Sequence, residues 1–456
     1  MRKEELRVLI IICLGSFFHV QSFGSINVSL PAIQKEFGAG LAAIQWVGMM
    51  GVVMLSSLSL CFGRAGDLIG RKKIFKMGLA LYALGAGLAA FSASFPQLLF
   101  FRSVMAVGLA MAAPMAAAII ASTSSPETRG RALGMLASAM AVGRTTGPTI
   151  GGFILYLWDW RAVFVANCLF GTATCVTLFG LLKGKEERRR EPFDFWGALF
   201  LMIGYPSVLI GLSLGAKSGW ESAEISLWFA LAAAGLASFV WRESRAEIPL
   251  MNLSYFSNLS LSTAISSFAL ASAVQQPIPI FGPLYMQNVL RSSPLAVGLV
   301  MATLPLATVV FSPLSGRLAD RVDSRWVAAL GLGFVFLGII FYARLGVDST
   351  HLRVALALAF LGAGIGLFIP ANQKVAFSAV HSQDYGVLSA MLTSFGTATG
   401  TLGTTVAVAL AEASRRTRDI EDAAGFAYDQ QFAFSSLLPL AAIAVLITLQ
   451  SFSIAK

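Results

Sequence analysis

An acid and a base at fixed spacing in a glycine-rich segment are the first feature of this sequence that could support chemistry. The segment is Gly63-Arg64-Ala65-Gly66-Asp67-Leu68-Ile69-Gly70-Arg71, and a related one, Gly316-Arg317-Leu318-Ala319-Asp320-Arg321, occurs later. Glycines permit a tight reversal between helices, and an acid and a base four residues apart can pair or bind a neighbouring helix end. The alternative is a basic topological anchor. We predict a gate that includes Gly63, Asp67, Gly70, Arg71, Gly316 and Asp320.

A second pattern combines glycines four residues apart with a proline. Gly143, Gly147 and Gly151 share one helical face, and Pro148 stands beside the second glycine. Glycines at this spacing let two helices approach closely, and a proline permits a local bend. Gly396 and Gly400 repeat the spacing. The alternative is ordinary packing of membrane helices, but together with the first pattern we predict that Gly143, Gly147 and Pro148 act in a conformational change.

Polar side chains in long apolar stretches form the third candidate set. Arg144 lies near the middle of such a stretch, and an arginine at the centre of a bilayer costs at least about 2.5 to 3.5 kcal/mol unless it reaches water or a partner. It either bonds backbone carbonyls and glutamines or faces a polar or anionic substrate. His19, Ser22 and Ser25 follow a three-residue spacing, so they share a helix face that we expect to line a cavity. The predicted pathway consists of Arg144, Arg102, His19, Gln21, Ser22, Ser25, Gln275, Gln276 and Glu412.

Membrane helices must position these residues, because the composition excludes a soluble protein. The chain has 456 residues, of which 56% are hydrophobic and 12% charged, whereas soluble domains carry about 25% charged residues. The charged residues fall in clusters that separate about fourteen stretches of spanning length. Periodic amphipathic strands, which an outer-membrane barrel needs, are absent from the sequence. The predicted class is therefore an all-α integral membrane protein.

The net charge of +10 is explained by membrane topology. With a cytoplasmic amino terminus, about 22 of the 33 lysines and arginines fall on the cytoplasmic side. We therefore expect no nucleic-acid partner, both termini in the cytoplasm, and a multi-pass protein of the cell membrane, such as a bacterial inner membrane. The sequence contains no ATP-binding loop, metal cluster or nucleophile–base pair, so we expect neither a cofactor nor an enzyme.

The two copies of each pattern indicate an internal repeat. Spans one to six would correspond to spans nine to fourteen, which predicts two six-helix halves related by an axis along the membrane normal. The predicted domains are 1–190, a two-helix insertion at 191–250, and 251–456. In the ninth span Pro277, Pro279 and Pro283 predict a broken helix with freed carbonyls.

These motifs together resemble those of the major facilitator superfamily. Gly63 to Lys73 is similar to its signature cytoplasmic loop, and Gly143 to Gly152 is similar to the helix-five motif of its drug:proton antiporters. Arg102 matches the arginine of another family motif, although Met105 and Ala106 replace its usual glutamine and glycine. The span count and Asn27-Val28-Ser29-Leu30-Pro31 resemble the fourteen-helix branch. The resemblance implies alternating access between two bundles and drug export against protons.

The acidic residues depart from that branch. It commonly has an aspartate where this chain has Ser22, and none of the 23 acidic residues lies near the centre of a predicted span. We expect a multidrug-type secondary transporter that exports amphipathic small molecules, coupled to protons. The alternative is export of anionic metabolites or lipids through Arg144 without proton antiport, and another class is a non-transporting membrane sensor. The expected partners are a small-molecule substrate, protons and the lipid bilayer, with the chain as a monomer.

Overall fold

A computed structural model of the chain describes residues 3–39, 41–181, 193–246, 249–251, 253–416 and 423–453. These residues form α-helices and two short 3-10 helices, with no strand among them. The helices of the first part are α1 (Lys3–Phe37), α2 (Leu41–Ile69), α3 (Arg71–Ala90), α4 (Phe95–Thr123), α5 (Arg129–Leu157), α6 (Trp160–Leu181), α7 (Phe195–Ser218) and α8 (Ala223–Glu243). Those of the second part are α9 (Leu259–Gln275), α10 (Ile278–Asn288), α11 (Pro294–Met301), α12 (Thr303–Arg321), α13 (Ser324–Ala343), α14 (His351–Ser378), α15 (Tyr385–Arg416) and α16 (Ala423–Ser453).

The sixteen described α-helices make fourteen spans, because α9 with α10 and α11 with α12 each follow one another within a single span. Eleven of these spans are long and apolar enough to cross a membrane by length and composition. The three others are α5, α6 and α15. The all-α class and the helix count predicted from the sequence are therefore confirmed in the described residues.

The predicted break in the ninth span is also confirmed. α9 ends at Gln275 and α10 begins at Ile278. Proline has no N–H, so Pro277 and Pro279 leave the carbonyls four residues before them without their helical donors. One of these, the carbonyl of Ala273, packs directly against Gly403 of α15. A freed backbone oxygen therefore lies at a helix–helix contact.

The chain divides into two compact units. Unit 1 contains Met1–Pro206, Ala232–Leu253 and Val380–Ser394, and unit 2 contains Ser207–Leu231, Ser254–Ala379 and Phe395–Lys456. The domain boundary that we predicted between residues 190 and 191 lies outside the described residues. Unit 1 therefore includes the first turns of α15 beside α1 to α6.

In unit 1 the glycine face of α5 packs against α1. A Cβ atom added to Gly143 would lie 2.6 Å from the carbonyl oxygen of Phe17, and one added to Gly147 would lie 2.5 Å from that of Gln21. A Cβ at Gly151 would overlap Ser25. No side chain fits at these three positions without separating the helices. The spacing read from the sequence therefore marks a close helix contact.

In unit 2 the corresponding helices, α15 and α9, pack in the same way. A Cβ added to Gly396 would lie 2.5 Å from the ring of Phe268, and one at Gly400 would lie 2.5 Å from Cγ of Gln276. One turn further on, a Cβ at Gly403 would overlap the Ala273 carbonyl. Both halves thus place their first and fifth helices in contact through glycine, as the repeat predicts.

Two buried carboxylates fix the end of the inserted helices within unit 1. The Glu243 carboxylate, 4% exposed, accepts hydrogen bonds from the backbone N–H groups of Leu250 (3.3 Å) and Met251 (3.0 Å). Arg242 Nε donates to both oxygens of Asp194 at 3.1 Å. Because a carboxylate binds two backbone donors at once, Glu243 determines where the chain turns after α8.

Candidate functional site

The Asp67 carboxylate joins α2 to the first turn of α15. Its Oδ1 accepts hydrogen bonds from Arg71 Nε (2.7 Å) and from the backbone N–H of Gly386 (2.9 Å). Its Oδ2 accepts one from the backbone N–H of Val387 (2.9 Å), and its side chain has no exposed area. These amides belong to the unpaired donors of a helix N-terminus, where negative charge is stabilising. Asp67 therefore caps α15, so it both pairs with Arg71 and binds a helix end.

Arginines surround this cap. Arg71 also donates to the carbonyl oxygens of Ser382 and Gln383, the latter at 2.9 Å. The guanidinium groups of Arg71 and Arg129 lie 5.4 and 5.3 Å from the ring centroid of Tyr385, within the range of a cation–π contact. Arg129 and Tyr385 were not among the predicted site residues, because nothing in their local sequence indicates that they meet.

Glycines permit this contact. Gly70 separates α2 from α3 and has a φ of 113°, which favours glycine. A Cβ added to Gly63 would lie 2.6 Å from Cβ of Ala390 in α15. The sequence suggested a loop across this motif, but the structure is helical on both sides of Gly70. No longer loop is needed, because one glycine with positive φ is enough to reverse the chain.

The second copy of the motif makes a different contact. In unit 2 the Asp320 carboxylate accepts a hydrogen bond from Lys374 Nζ at 2.8 Å, and the same Nζ donates to the Ala319 carbonyl at 2.7 Å. Gly316 is buried one turn earlier in α12. This copy therefore forms a side-chain ion pair between α12 and α14.

The polar face of α1 turns into unit 1. Gln21, Ser22 and Ser25 are buried, with at most 2% of their surface exposed. Ser25 Oγ donates to the Ser22 carbonyl (2.9 Å) and accepts from Asn167 Nδ2 of α6 (3.4 Å). We expected this face to line a cavity, but a serine in a helix can satisfy its hydroxyl on the preceding turn, so no solvent is needed. Ser25 consequently contacts α6 through Asn167.

His19 lies on the same face but at a small cavity. Its ring stacks on that of Tyr82, with centroids 6.3 Å apart and an interplanar angle of 15°. Both rings line the cavity together with Asn167 and Thr174 of α6. The Tyr82 hydroxyl is buried. This histidine therefore sits between α1, α3 and α6, in the interior of unit 1.

The two predicted pathway arginines occupy different environments. Arg102 is 2% exposed, its Nε donates to the Val47 carbonyl at 3.1 Å, and its guanidinium lies 5.8 Å from the Phe23 ring centroid. Arg144, in the middle of α5, is exposed, and no hydrogen bond or ion pair joins it to another described residue. Arg102 is thus held by α2, whereas the Arg144 side chain retains exposed surface.

The remaining pathway candidates lie on α9 and α15. Gln275 is half-buried and Gln276 exposed, both directly before the proline break, and Glu412 is exposed in the last turns of α15. The structure does not bring Glu412 to mid-depth. Every described carboxylate lies within about two turns of a helix end or in a turn. Among the described residues, no group of three or more His, Cys, Asp or Glu side chains is placed to hold a metal ion.

Three comparisons with known proteins bear on this arrangement. The chain matches the model of the Major Facilitator Superfamily over residues 12–278 and 259–451. It is 29% identical over 414 residues to the multidrug resistance protein Stp of Mycobacterium tuberculosis, covering 88% of this chain and 75% of that protein. It is 25% identical over 412 residues to the multidrug transporter protein MdtP of Bacillus subtilis, covering 89% and 75%. Its fold matches the human organic anion transporter MFSD10 with a TM-score of 0.69 at 16% identity, covering 98% and 100%.

Proposed function

Because the chain belongs to the major facilitator superfamily, we propose that this transporter exports amphipathic small molecules by alternating access, driven by protons. The names of the relatives Stp and MdtP, a multidrug resistance protein and a multidrug transporter, support the class of cargo. The observation that carries the proposal is the Asp67 cap on α15, because it is a compact charged contact that can form and break. It would act in a multi-pass protein of the cell membrane with both termini in the cytoplasm.

In this proposal the Asp67 cap is the cytoplasmic gate. It holds α2 against α15 in one state and releases it in the other. The halves 1–190 and 251–456 rock, the insertion 191–250 accompanies them, and the glycine faces allow α5 and α15 to shift on their partners. The gating residues are Gly63, Asp67, Gly70, Arg71, Gly143, Gly147, Pro148, Gly316 and Asp320.

We assign the proton-linked step to His19. It is the side chain on the polar face of α1 that can bind a proton in place of the missing membrane carboxylate, and its ring lies on Tyr82 beside a small cavity. Arg102, also on the interior side of unit 1, would respond to that charge by repulsion. His19→Gln is expected to abolish uptake driven by a pH gradient in inverted vesicles while leaving substrate exchange without a gradient intact. If His19→Gln retains both activities, His19 takes no part in the proton-linked step.

The second candidate, export of anionic metabolites or lipids without proton antiport, is favoured by Arg144. Its side chain is exposed on a membrane helix without a described partner, while the described carboxylates all lie near helix ends. A lone positive charge at mid-depth is stabilised by water or by an anion. A carboxylate or phosphate group of a substrate would supply two oxygen acceptors that match the guanidinium fork.

Purified protein in liposomes separates the two candidates. A matched series of amphipathic cation, neutral compound and anion is tested with and without an imposed pH gradient. The first candidate predicts flux that collapses with the gradient. The second predicts anion flux without the gradient, lost in Arg144→Ala and retained in Arg131→Ala, which removes an exposed arginine near the start of the same helix. Anion preference unchanged in Arg144→Ala would eliminate the second candidate, and binding without any flux would indicate a sensor and eliminate both.

A further inference from the structure

The interior of unit 2 contains polar groups that no described residue satisfies. Gln430 of α16 and Tyr342 of α13 have no exposed surface. Both polar atoms of the Gln430 amide, and the hydroxyl of Tyr342, have no hydrogen-bond partner among the described residues. Buried amides and hydroxyls in native proteins are nearly always bonded to protein or to ordered water. We therefore expect a hydrogen-bond partner for both side chains in the folded protein.

Two contacts give the register of α16 against the ninth span. Ser267 and Thr448 share a side-chain hydrogen bond of 2.7 Å, and the rings of Phe281 and Phe434 lie 5.5 Å apart. The two helices run antiparallel, because the later residue on one pairs with the earlier residue on the other. Gln430, one turn before Phe434, is therefore at the level one turn after Phe281.

That level is occupied by Tyr285. It is fully buried, its hydroxyl donates to the Gly346 carbonyl at 2.7 Å, and it also shares a hydrogen bond with the Ser349 side chain, which leaves one lone pair of the phenol oxygen as an acceptor. The ring of Tyr342 lies 4.6 Å from that of Phe434. Its hydroxyl is close to α10, since a Cβ added to Gly282 would lie 3.4 Å from it. The register therefore places Gln430 at the level of Tyr285, and the Tyr342 hydroxyl lies within about one helical turn of that level.

We propose that Gln430, Tyr342 and Tyr285 form a binding site for buried water in unit 2. The amide provides two donors and one acceptor, the Tyr342 hydroxyl provides a donor and an acceptor, and the Tyr285 oxygen accepts. A buried water makes about three hydrogen bonds, and this set can supply them. The site borders α10, which carries two of the three prolines of the broken span.

Radiolytic hydroxyl-radical footprinting in H2(18)O tests the site in the unaltered protein. Bound water generates radicals locally, so Tyr342 and Tyr285 are expected to incorporate 18O several-fold more than Phe164. Phe164 is the control because it is equally buried, but in the apolar core of unit 1. Labelling of both tyrosines at the level of Phe164 would overturn the proposal.

Thermal unfolding of Gln430→Leu and Tyr342→Phe gives a second readout. A bound water makes both substitutions lower the Tm, and the double variant falls less than the sum because the two side chains share the water. Gln430→Leu should also reduce 18O labelling of Tyr342 to the level of the control. If Gln430→Leu has a higher Tm than the unaltered protein, no water binds the Gln430 amide. If its Tm is lower but the tyrosines of the unaltered protein incorporate no more 18O than Phe164, Gln430 bonds directly to Tyr342. Either outcome overturns the water site.

Discussion

Asp67→Asn should loosen the first turn of α15. The carboxylate accepts from two backbone amides and from Arg71. An asparagine keeps one acceptor oxygen and places an NH2 group opposite one of these donors. The variant therefore loses one backbone bond and the ionic part of the Arg71 contact, while its shape hardly changes.

The magnitude follows from the number of bonds lost. Hydrogen bonds to a charged group contribute about 1.5 to 3 kcal/mol each, and because the Arg71 contact loses only its ionic part, the lower end of that range applies and the two losses amount to about 3 kcal/mol. Since about 1.4 kcal/mol is tenfold in an equilibrium constant, the closed state of this contact should become about a hundredfold less populated relative to the open state.

Hydrogen exchange read by mass spectrometry measures this directly, because exchange protection reports local opening free energy. Peptides covering the Gly386 and Val387 amides should lose about two orders of magnitude of protection in Asp67→Asn. Asp320→Asn is the matched control, since its carboxylate binds Lys374 in unit 2. Protection of these amides that is unchanged in Asp67→Asn, or lost equally in Asp320→Asn, would refute the capping argument.

Two further substitutions test packing and the end of the insertion. Gly403→Ala places a methyl group into the Ala273 carbonyl, so it should lower stability by about 1 to 3 kcal/mol. In Gly333→Ala the added methyl meets nothing within 4 Å, and its Tm should change little; equal shifts would contradict the close contact. Glu243→Gln removes the negative charge of the carboxylate that accepts both backbone hydrogen bonds. The free energy of unfolding should therefore fall by about 1.5 to 3 kcal/mol. The substitution should also speed exchange at the two amides that Glu243 binds, whereas the exposed Glu224→Gln in the same helix should not.

Much of the fold could be predicted because membrane helices are constrained by composition. Uncharged length determines a span, and a proline triplet determines a break, so the spans and the interruption after Gln275 follow from local rules. The glycine spacing also has one main physical use, which is close approach. It therefore predicted the faces at Gly147 and Gly400 that the structure places against α1 and α9.

The partners across the site could not be predicted, because spacing gives a helix face but not the element that covers it. Ser25 was expected to face a cavity, whereas the structure covers it with Asn167 of α6. Asp67 was expected to bind Arg71 or a helix end, but only three-dimensional contact shows that the end belongs to α15. Tyr385 contacts Arg71 and Arg129, which lie far from it in sequence, and no local sequence pattern predicts such a contact.

The cap on α15 has an evolutionary consequence. Asp67 binds backbone amides, which every residue except proline offers, so the side chain at position 387 can drift without any compensating change at position 67. Gly386 is restricted by size, since a Cβ there would lie 2.5 Å from the carbonyl oxygen of Gly63 and 2.6 Å from the Asp67 carboxylate. Positions 67 and 387 should therefore show almost no statistical covariation among homologues, however strongly selection preserves the contact. Chimeras that exchange the start of α15 between relatives should keep it.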